Sequence, residues 1–248
     1  MPYRFAIERP DYSDLSSGRV FYSLPGHPAF PIRLASEIFQ RCLAHRQAAG
    51  YSGPPALYDP CCGAAYLLSV LAYLHGPSIR ALAASDVAPT AVELARRNLE
   101  LLTAEGLDRR IAALGADYAR FGKDSHRQAL ESACRLRERI GRMSLIPTRV
   151  FQADAGNPAD ILRGLNGSKV DLVITDIPYG RHSVWHGTLR DESHSVWNLL
   201  NALLEVLSPT GLVAVAADKA QKISHESYRR IERFSIGKRQ VVILKPEN

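Results

Sequence analysis

An acid, a proline and an aromatic residue stand close together at Asp176, Pro178 and Tyr179. They directly follow the apolar run 170–175, which predicts a buried strand, and a glycine after them predicts a tight turn. A carboxylate and the carbonyls of a turn accept hydrogen bonds from the N–H groups of a flat heterocycle, and a tyrosine ring stacks on its face. We therefore predict that these three residues hold a nucleobase-like ring at the end of this strand.

Three more acids stand where other predicted strands end. Asp59, Asp86 and Asp154 follow the first, second and third predicted strands. Ligands bind open parallel sheets at the carboxyl ends of the strands, so we expect these acids to line one site together with Asp176. There an acid accepts hydrogen bonds from ribose hydroxyls or an amino group, although each acid alone could equally cap a loop or a helix.

The loop between the first strand and the first helix discriminates between possible cofactors. A phosphate-bearing cofactor favours a glycine-rich loop without a carboxylate at its mouth, whereas Asp59 stands at the mouth of this loop. A carboxylate there suits a cationic or amino-bearing cofactor, which favours S-adenosylmethionine over NAD or ATP. The predicted cofactor-binding residues are Asp59, Cys61, Gly63, Asp86, Val87, Asp154 and Ala155.

The residues after the aromatic turn combine positive charge with an indole ring. We predict that Arg181, Trp185 and Arg190 contact RNA, because guanidinium groups bind phosphate and indole rings stack on bases. Packing of Trp185 on the core as a lid is an equal alternative. Three histidines in the same stretch lack a partner set with zinc-ligand spacing, so we expect no metal site.

Composition limits the class of protein. The chain has 248 residues, 46% of them hydrophobic, and a net charge of +6, which fits one domain with additions. Residues 106–150 hold ten Arg or Lys against five Asp or Glu, and residues 211–248 hold eight against four. Such patches suit nucleic acid or are simply solvated surface.

The sequence favours a cytoplasmic protein. Its cysteines are unevenly spaced, and neither a signal peptide nor a run long enough to span a bilayer is visible.

Strand and helix patterns alternate along most of the chain. From residue 54 to 245 they predict five strands separated by helices, then a closing strand pair at 228–236 and 240–244. Repeated βα units imply an α/β fold, with a mostly parallel sheet, helices on both faces and an antiparallel edge pair. Within this single domain, residues 1–53 form a helical N-terminal extension, and residues 103–148 form a basic helical insertion that is decorative or contacts RNA.

Two stretches resemble motifs of the class I S-adenosylmethionine-dependent methyltransferases. The stretch 59–63, Asp-Pro-Cys-Cys-Gly, is similar to their Asp-Pro-x-Cys-Gly-x-Gly motif. The stretch 176–180, Asp-Ile-Pro-Tyr-Gly, is similar to their (Asp/Asn)-Pro-Pro-Tyr motif. Ala65 replaces the second glycine of the first motif, and Ile177 replaces the first proline of the second. Over its whole length the chain resembles the avilamycin-resistance rRNA guanine methyltransferases of actinomycetes.

This resemblance implies a Rossmann-like fold with seven strands and methylation of guanine N1 in 23S rRNA, with resistance to an avilamycin-type antibiotic as the result. Its partner would be 23S rRNA or the large ribosomal subunit, and we expect a monomer without membrane contact. Asp176 and the Ile177 carbonyl would accept N–H groups of the guanine. Asp176, or a water near it, would take the N1 proton, and Tyr179 would stack on the extruded base.

Two alternatives stay open at this point. The same turn also suits an exocyclic amine, so a guanine-N2 or adenine-N6 methyltransferase acting on RNA or DNA is the first alternative. A catalytically idle RNA-binding module on a methyltransferase scaffold is the second alternative, and the intact acids at the strand ends argue against it.

Overall fold

A computed structural model describes residues 3–23, 29–177 and 194–247 of the chain. The strands in these ranges are β1 (Ala56–Asp59), β2 (Ala81–Asp86), β3 (Thr148–Gln152), β4 (Val170–Asp176), β5 (Leu207–Asp218), β6 (Tyr228–Ile236) and β7 (Arg239–Pro246). The helices are α1 (Ile32–Ala48), α2 (Tyr66–His75), α3 (Pro89–Glu100), α4 (Ala104–Phe121), α5 (Asp124–Ile140), α6 (Pro158–Gly164) and α7 (Ser195–Leu204).

The seven strands form one sheet in the order β3-β2-β1-β4-β5-β7-β6. The first five strands in this order pair in parallel, whereas β7 pairs antiparallel with both β5 and β6. The mostly parallel sheet with an antiparallel edge pair is therefore confirmed. Helices connect the parallel strands and cover both faces, which is why the central strands are apolar on both sides.

Successive residues of the central strands face two separate hydrophobic clusters. In β4, Leu172 and Ile174 belong to the cluster under α1, α2 and α3, while Val173 belongs to the cluster under α6 and α7. This alternation follows from the two-residue period of a strand. The sheet is thus the middle of three layers.

A helical hairpin stands between α3 and β3. Its first helix, α4, begins after Thr103, whose side-chain oxygen accepts the Gly106 amide at 3.0 Å. Gly122 ends this helix in the left-handed conformation, with φ of 62°, and α5 then returns antiparallel to α4. The predicted basic segment thus contains two long helices. No described helix is long and apolar enough to cross a membrane.

The segment before α1 is attached to the helical layer by buried contacts. Phe21 is fully buried, and its ring meets those of Tyr66 and Tyr73 edge to face at centroid distances of 5.7 and 5.8 Å. The Tyr66 hydroxyl donates to the Leu15 carbonyl at 2.7 Å. This attachment matters for the site, because the same segment also reaches the loop after β1.

Candidate active site

Four carboxylates line the carboxyl edge of the sheet on adjacent strands. Asp59, Asp86 and Asp176 are the last residues of β1, β2 and β4, and Asp154 stands two residues beyond β3. Since neighbouring strands lie about 4.8 Å apart, the four strands β3-β2-β1-β4 place these acids along an edge about 14 Å long. The structure thus brings together the acids that the sequence placed at strand ends.

The loop between β1 and α2 contains two residues in the left-handed backbone conformation. Gly63 has φ of 52° and Ala65 has φ of 53°, so both occupy the region that favours glycine. The Gly63 amide donates to Asp86 Oδ2 at 2.9 Å, and the Cys62 amide donates to the Ser85 carbonyl at 2.9 Å. The loop is therefore fixed against the end of β2, with Gly63 beside the carboxylate of Asp86.

Asn98 in α3 holds this loop from the other side. Its side chain is fully buried, and Nδ2 donates to the Ala64 carbonyl at 2.8 Å. The same amide group pairs with the backbone of Tyr22, accepting its N–H at 2.8 Å and donating to its carbonyl at 2.9 Å. One side chain thus connects the N-terminal segment to the predicted cofactor loop.

Asp59 is buried in the middle of the acidic edge. Only 3% of the residue is exposed, and its Oδ1 accepts the Cys61 amide at 3.1 Å. Burial raises the pKa of Asp59 to about 7, and the negative charges of Asp86 and Asp176 act in the same direction. A cationic or amino-bearing ligand beside these acids would relieve their repulsion and favour the ionised form of Asp59.

One carboxyl oxygen of Asp176, Oδ1, is buried and has no hydrogen-bond donor among the described residues. Its Oδ2 lies 3.8 Å from Nη2 of Arg239, at the start of β7. Burial raises the pKa of Asp176 to about 7, although the positive charge of Arg239 opposes the shift. A buried acceptor normally has a partner, so this oxygen is suited to a ligand N–H group.

Ile177 departs from the methyltransferase motif for a visible reason. Its amide donates to the Ala216 carbonyl of β5 at 3.1 Å, and its side chain is only 1% exposed. A proline has no amide hydrogen to donate, so the proline of the related motif could not make this bond. The ladder between β4 and β5 therefore extends one residue beyond Asp176 and holds the start of the turn.

The remaining predicted cofactor residues also lie at this edge, and two acids make capping bonds. Asp86 Oδ1 accepts the Ala88 amide at 3.0 Å, and Asp154 Oδ1 accepts the Gly156 amide at 2.9 Å. A carboxylate oxygen accepts more than one hydrogen bond, so capping and ligand binding are compatible. Val87 follows β2 directly, and Ala155, next to Asp154, is buried with 6% of the residue exposed.

Cys61 lies in the loop between β1 and α2 and lacks the properties of a nucleophile. Burial raises the pKa of its thiol well above the ordinary value, and the charges of Asp59 and Asp86 add to the effect. A thiol of this kind is protonated and unreactive at neutral pH. Within the described part of the chain, no group of three or more His, Cys, Asp or Glu residues could hold a metal ion.

The other predicted site residues fall in a part of the chain that the structure does not describe. They are Pro178, Tyr179, Arg181, Trp185 and Arg190. The proposed stacking by the tyrosine and the RNA contacts of the two arginines and the tryptophan therefore stay predictions.

Sequence reasoning missed two residues that shape the site. Asn98 lies on the apolar stripe of α3, between the buried Ala95 and Leu99, and a polar residue on such a stripe is the signal that could have identified it. Arg239 follows the turn between β6 and β7, and its contact with Asp176 depends on the pairing of β7 with β5. That pairing joins distant parts of the chain and leaves no local pattern.

Proteins of known activity resemble this chain over nearly its whole length. A family model described as rRNA methyltransferase AviRa matches residues 1–239. A 23S rRNA (guanine(2535)-N(1))-methyltransferase from Streptomyces viridochromogenes is 43% identical over 244 residues, which are 98% of this chain and 95% of that protein. A solved structure of the rRNA methyltransferase aviRa from the same organism has a TM-score of 0.87 at 42% identity, covering 98% of this chain and 96% of that one.

A more distant structure shares the fold alone. TrmN from Thermus thermophilus is 17% identical, with a TM-score of 0.50, and covers 90% of this chain and 51% of its own. The predicted resemblance to rRNA guanine methyltransferases and the predicted Rossmann-like fold are confirmed. Because the family model and the Streptomyces relative both span nearly all of its residues, the chain belongs to the AviRa family of rRNA methyltransferases.

Proposed function

We propose that this protein transfers a methyl group from S-adenosylmethionine to N1 of a guanine in 23S rRNA. The family is one of rRNA methyltransferases, and the relative at 43% identity carries this activity in its name. The observation in the site that carries the proposal is Asp176, whose buried Oδ1 accepts no hydrogen bond from the described residues at the carboxyl edge of β4. An N–H group of a guanine edge would supply the missing donor.

Asp176 would act as the general base. A base works best when its pKa lies near the working pH, and burial raises the pKa of this carboxyl to about 7. In the proposed step the guanine N1–H bond breaks, its proton passes to Asp176, and the N1 electron pair forms the new bond to the methyl carbon. Arg239, at 3.8 Å, would keep part of the Asp176 population ionised and ready to accept that proton.

The acids at the carboxyl edge suit S-adenosylmethionine because this molecule carries amino groups and a positive charge. Asp86 would bind the ribose hydroxyls and Asp154 the adenine amino group, while the loop around Gly63 would allow close approach of the ligand. Asp59 would hold the loop and favour the positive charge. When bound, S-adenosylmethionine supplies an electrophilic methyl group on its sulfonium sulfur, and the remainder of the molecule leaves as a neutral thioether.

The base would be extruded from the RNA before it reaches this edge. We propose that Tyr179 stacks on the extruded guanine and that Pro178 stiffens the turn, with Arg181, Trp185 and Arg190 contacting the surrounding RNA. The protein would act in the cytoplasm as a monomer on 23S rRNA or the large ribosomal subunit. Avilamycin-type resistance would follow from the position of the methyl group and stays a prediction.

Replacing Asp176 by asparagine tests the assigned base. The amide keeps the shape of the carboxyl but does not take a proton, so we expect the rate of methyl transfer to 23S rRNA to fall about 10²- to 10⁴-fold. Binding of S-adenosylmethionine, measured by calorimetry, should change little. Asp117→Asn, at an exposed position of α4, is the matched control and should keep full activity. Normal turnover in the Asp176 variant would exclude this residue as the base.

A further inference from the structure

A cleft lies at the amino end of the sheet, opposite the acidic edge. Its volume is about 210 Å³, and it is formed by the end of α1, the start of β5 and the edge strands β6 and β7. The side chains of its wall that matter here are His45, Arg46, Tyr51, Thr210, Arg229 and Lys245. No acidic residue belongs to its lining, which makes it a cavity of positive charge.

Arg46 places a mostly buried guanidinium group in the wall of this cleft. The residue is only 7% exposed, and its Nη1 donates to the carbonyls of Asp171 and Thr210 at 3.3 and 3.2 Å. Its Nε is also buried but donates to no described residue. The Arg46 side chain forms part of the cleft wall, so its positive charge adds to the attraction of the cleft for an anion.

Two more cations face the same space without being neutralised inside it. Arg229 Nε lies 3.9 Å from a carboxyl oxygen of Glu247, an exposed pair that contributes little, and Lys245 pairs with Arg229 in the sheet. The neighbouring Glu232 is already engaged by Arg41 and His45. The surplus of positive charge therefore remains within the cleft.

The size of the cleft limits what it binds. Cavities that enclose a drug-sized molecule measure about 300–1,000 Å³, so this smaller and open cleft suits one anionic group of a larger molecule. A guanidinium fork with further cations around it is the arrangement that recognises phosphate. The cleft is thus matched to a phosphate group.

The edge strand connects this cleft to the candidate active site. β6 runs from Arg229, in the cleft, to Ile236, which pairs with Arg239 next to Asp176. The seven residue steps from Arg229 to Ile236 span about 23 Å at ~3.3 Å per step. Exposed cations follow the same edge at Arg230, Arg233 and Lys238.

We propose that this cleft binds a backbone phosphate of the RNA substrate, several nucleotides away from the guanine that receives the methyl group. The inference rests on the proposed function for the identity of the RNA. A phosphate held at this distance fixes the register of the strand, so that one guanine and not its neighbours reaches Asp176.

The test compares two double variants that remove equal charge. Arg229→Gln with Lys245→Gln changes the cleft, whereas Arg96→Gln with Arg163→Gln changes exposed cations elsewhere. The control also contains one ion-paired arginine, because Arg163 lies 3.1 Å from Asp160. Binding to a 23S rRNA transcript is measured without S-adenosylmethionine over a series of KCl concentrations, and methyl-transfer kinetics are measured separately.

Loss of one phosphate contact predicts a specific result. The plot of log binding constant against log salt concentration should become shallower by about 0.7–0.9 for the cleft variant and stay unchanged for the control. The KM for rRNA should rise roughly 5- to 10-fold in the cleft variant with kcat unchanged. Equal slopes and equal KM values for the two double variants would overturn the proposal.

Inorganic phosphate at constant ionic strength separates an RNA phosphate from a free one. Phosphate should compete with rRNA for the wild-type protein and not for the cleft variant. If phosphate binds the wild-type cleft while the rRNA salt slope of the cleft variant is unchanged, the cleft serves a free phosphate compound and the RNA proposal is wrong. Binding of rRNA is measured without S-adenosylmethionine and so does not depend on methyl transfer. A wild-type protein that binds rRNA but does not methylate it would therefore contradict the proposed function and leave this inference intact.

Discussion

Replacing Asp176 by asparagine should make the unliganded protein more stable while it removes activity. The wild-type carboxyl has an ordinary pKa of 3.8, and burial raises this pKa to about 7 in the folded protein. A difference of about 3 pKa units means that ionisation of Asp176 destabilises the folded state by ~4 kcal/mol relative to the unfolded state. Since 25% of the side chain is exposed, solvent screening reduces this figure, and we expect a gain of roughly 1–3 kcal/mol for the asparagine variant.

The sign of the effect depends on pH in a way that identifies its cause. A carboxyl whose folded pKa is raised contributes stability below its unfolded pKa, and this contribution is lost as pH rises through the folded pKa. The advantage of the Asp176→Asn variant should therefore be small near pH 4, grow up to about pH 7, and stay constant above it. No such growth is expected for the control variant Asp117→Asn, which replaces an exposed carboxylate on α4.

Thermal unfolding of the two variants and the wild type between pH 4 and pH 8.5 measures this difference. For a chain of this length, 1–3 kcal/mol corresponds to a shift in Tm of roughly 2–10 °C at pH 8. A variant that is no more stable than the wild type, or whose gain does not depend on pH, would refute the reasoning that burial of Asp176 stores free energy for the reaction.

Three further changes test the support around the site. Asn98→Ala removes three hydrogen bonds to the N-terminal segment and the cofactor loop, so the Kd for S-adenosylmethionine should rise about 10-fold in calorimetry; an unchanged Kd would separate Asn98 from the loop. Ile177→Pro recreates the motif of related enzymes but loses the amide bond to β5, and should lower the free energy of unfolding in urea by about 1–3 kcal/mol; equal stability would mean that this bond is dispensable. Ala65→Val places a branched side chain at φ of 53° and should cost roughly 2 kcal/mol or more, whereas Ala65→Gly should stay within ~1 kcal/mol of the wild type; similar values for both would contradict a strained loop.

The sequence was sufficient to predict the order and type of the elements because buried parallel strands and amphipathic helices have different apolar periods. Boundaries were less accurate where a local signal misled. The fifth strand shows this, because β5 begins at Leu207, which pairs with Val170, and contains Pro209 and Gly211, two residue types that usually mark turns. A register shift in the pairing with β4 accommodates both residues within the strand.

The site was predictable to the extent that it depends on topology. Parallel strands place their carboxyl ends at one edge, so the acids that follow them meet there without further information. The contribution of Asn98 was not predictable in the same way, because it depends on how residues 13–23 fold back over α2 and α3. The same holds for Arg239, which reaches Asp176 only because β7 pairs antiparallel with β5.

The identity of the methylated nucleoside distinguishes N1 of guanine from the other candidate atoms. The protein is incubated with labelled S-adenosylmethionine and 23S rRNA, the RNA is digested to nucleosides, and the labelled product is identified by mass spectrometry. We expect labelled 1-methylguanosine from 23S rRNA, and we expect the Asp176→Asn variant to form it about 10²- to 10⁴-fold more slowly. Label in N2-methylguanosine or N6-methyladenosine would contradict the assignment of the atom, and binding of rRNA without any methyl transfer would contradict the proposed function.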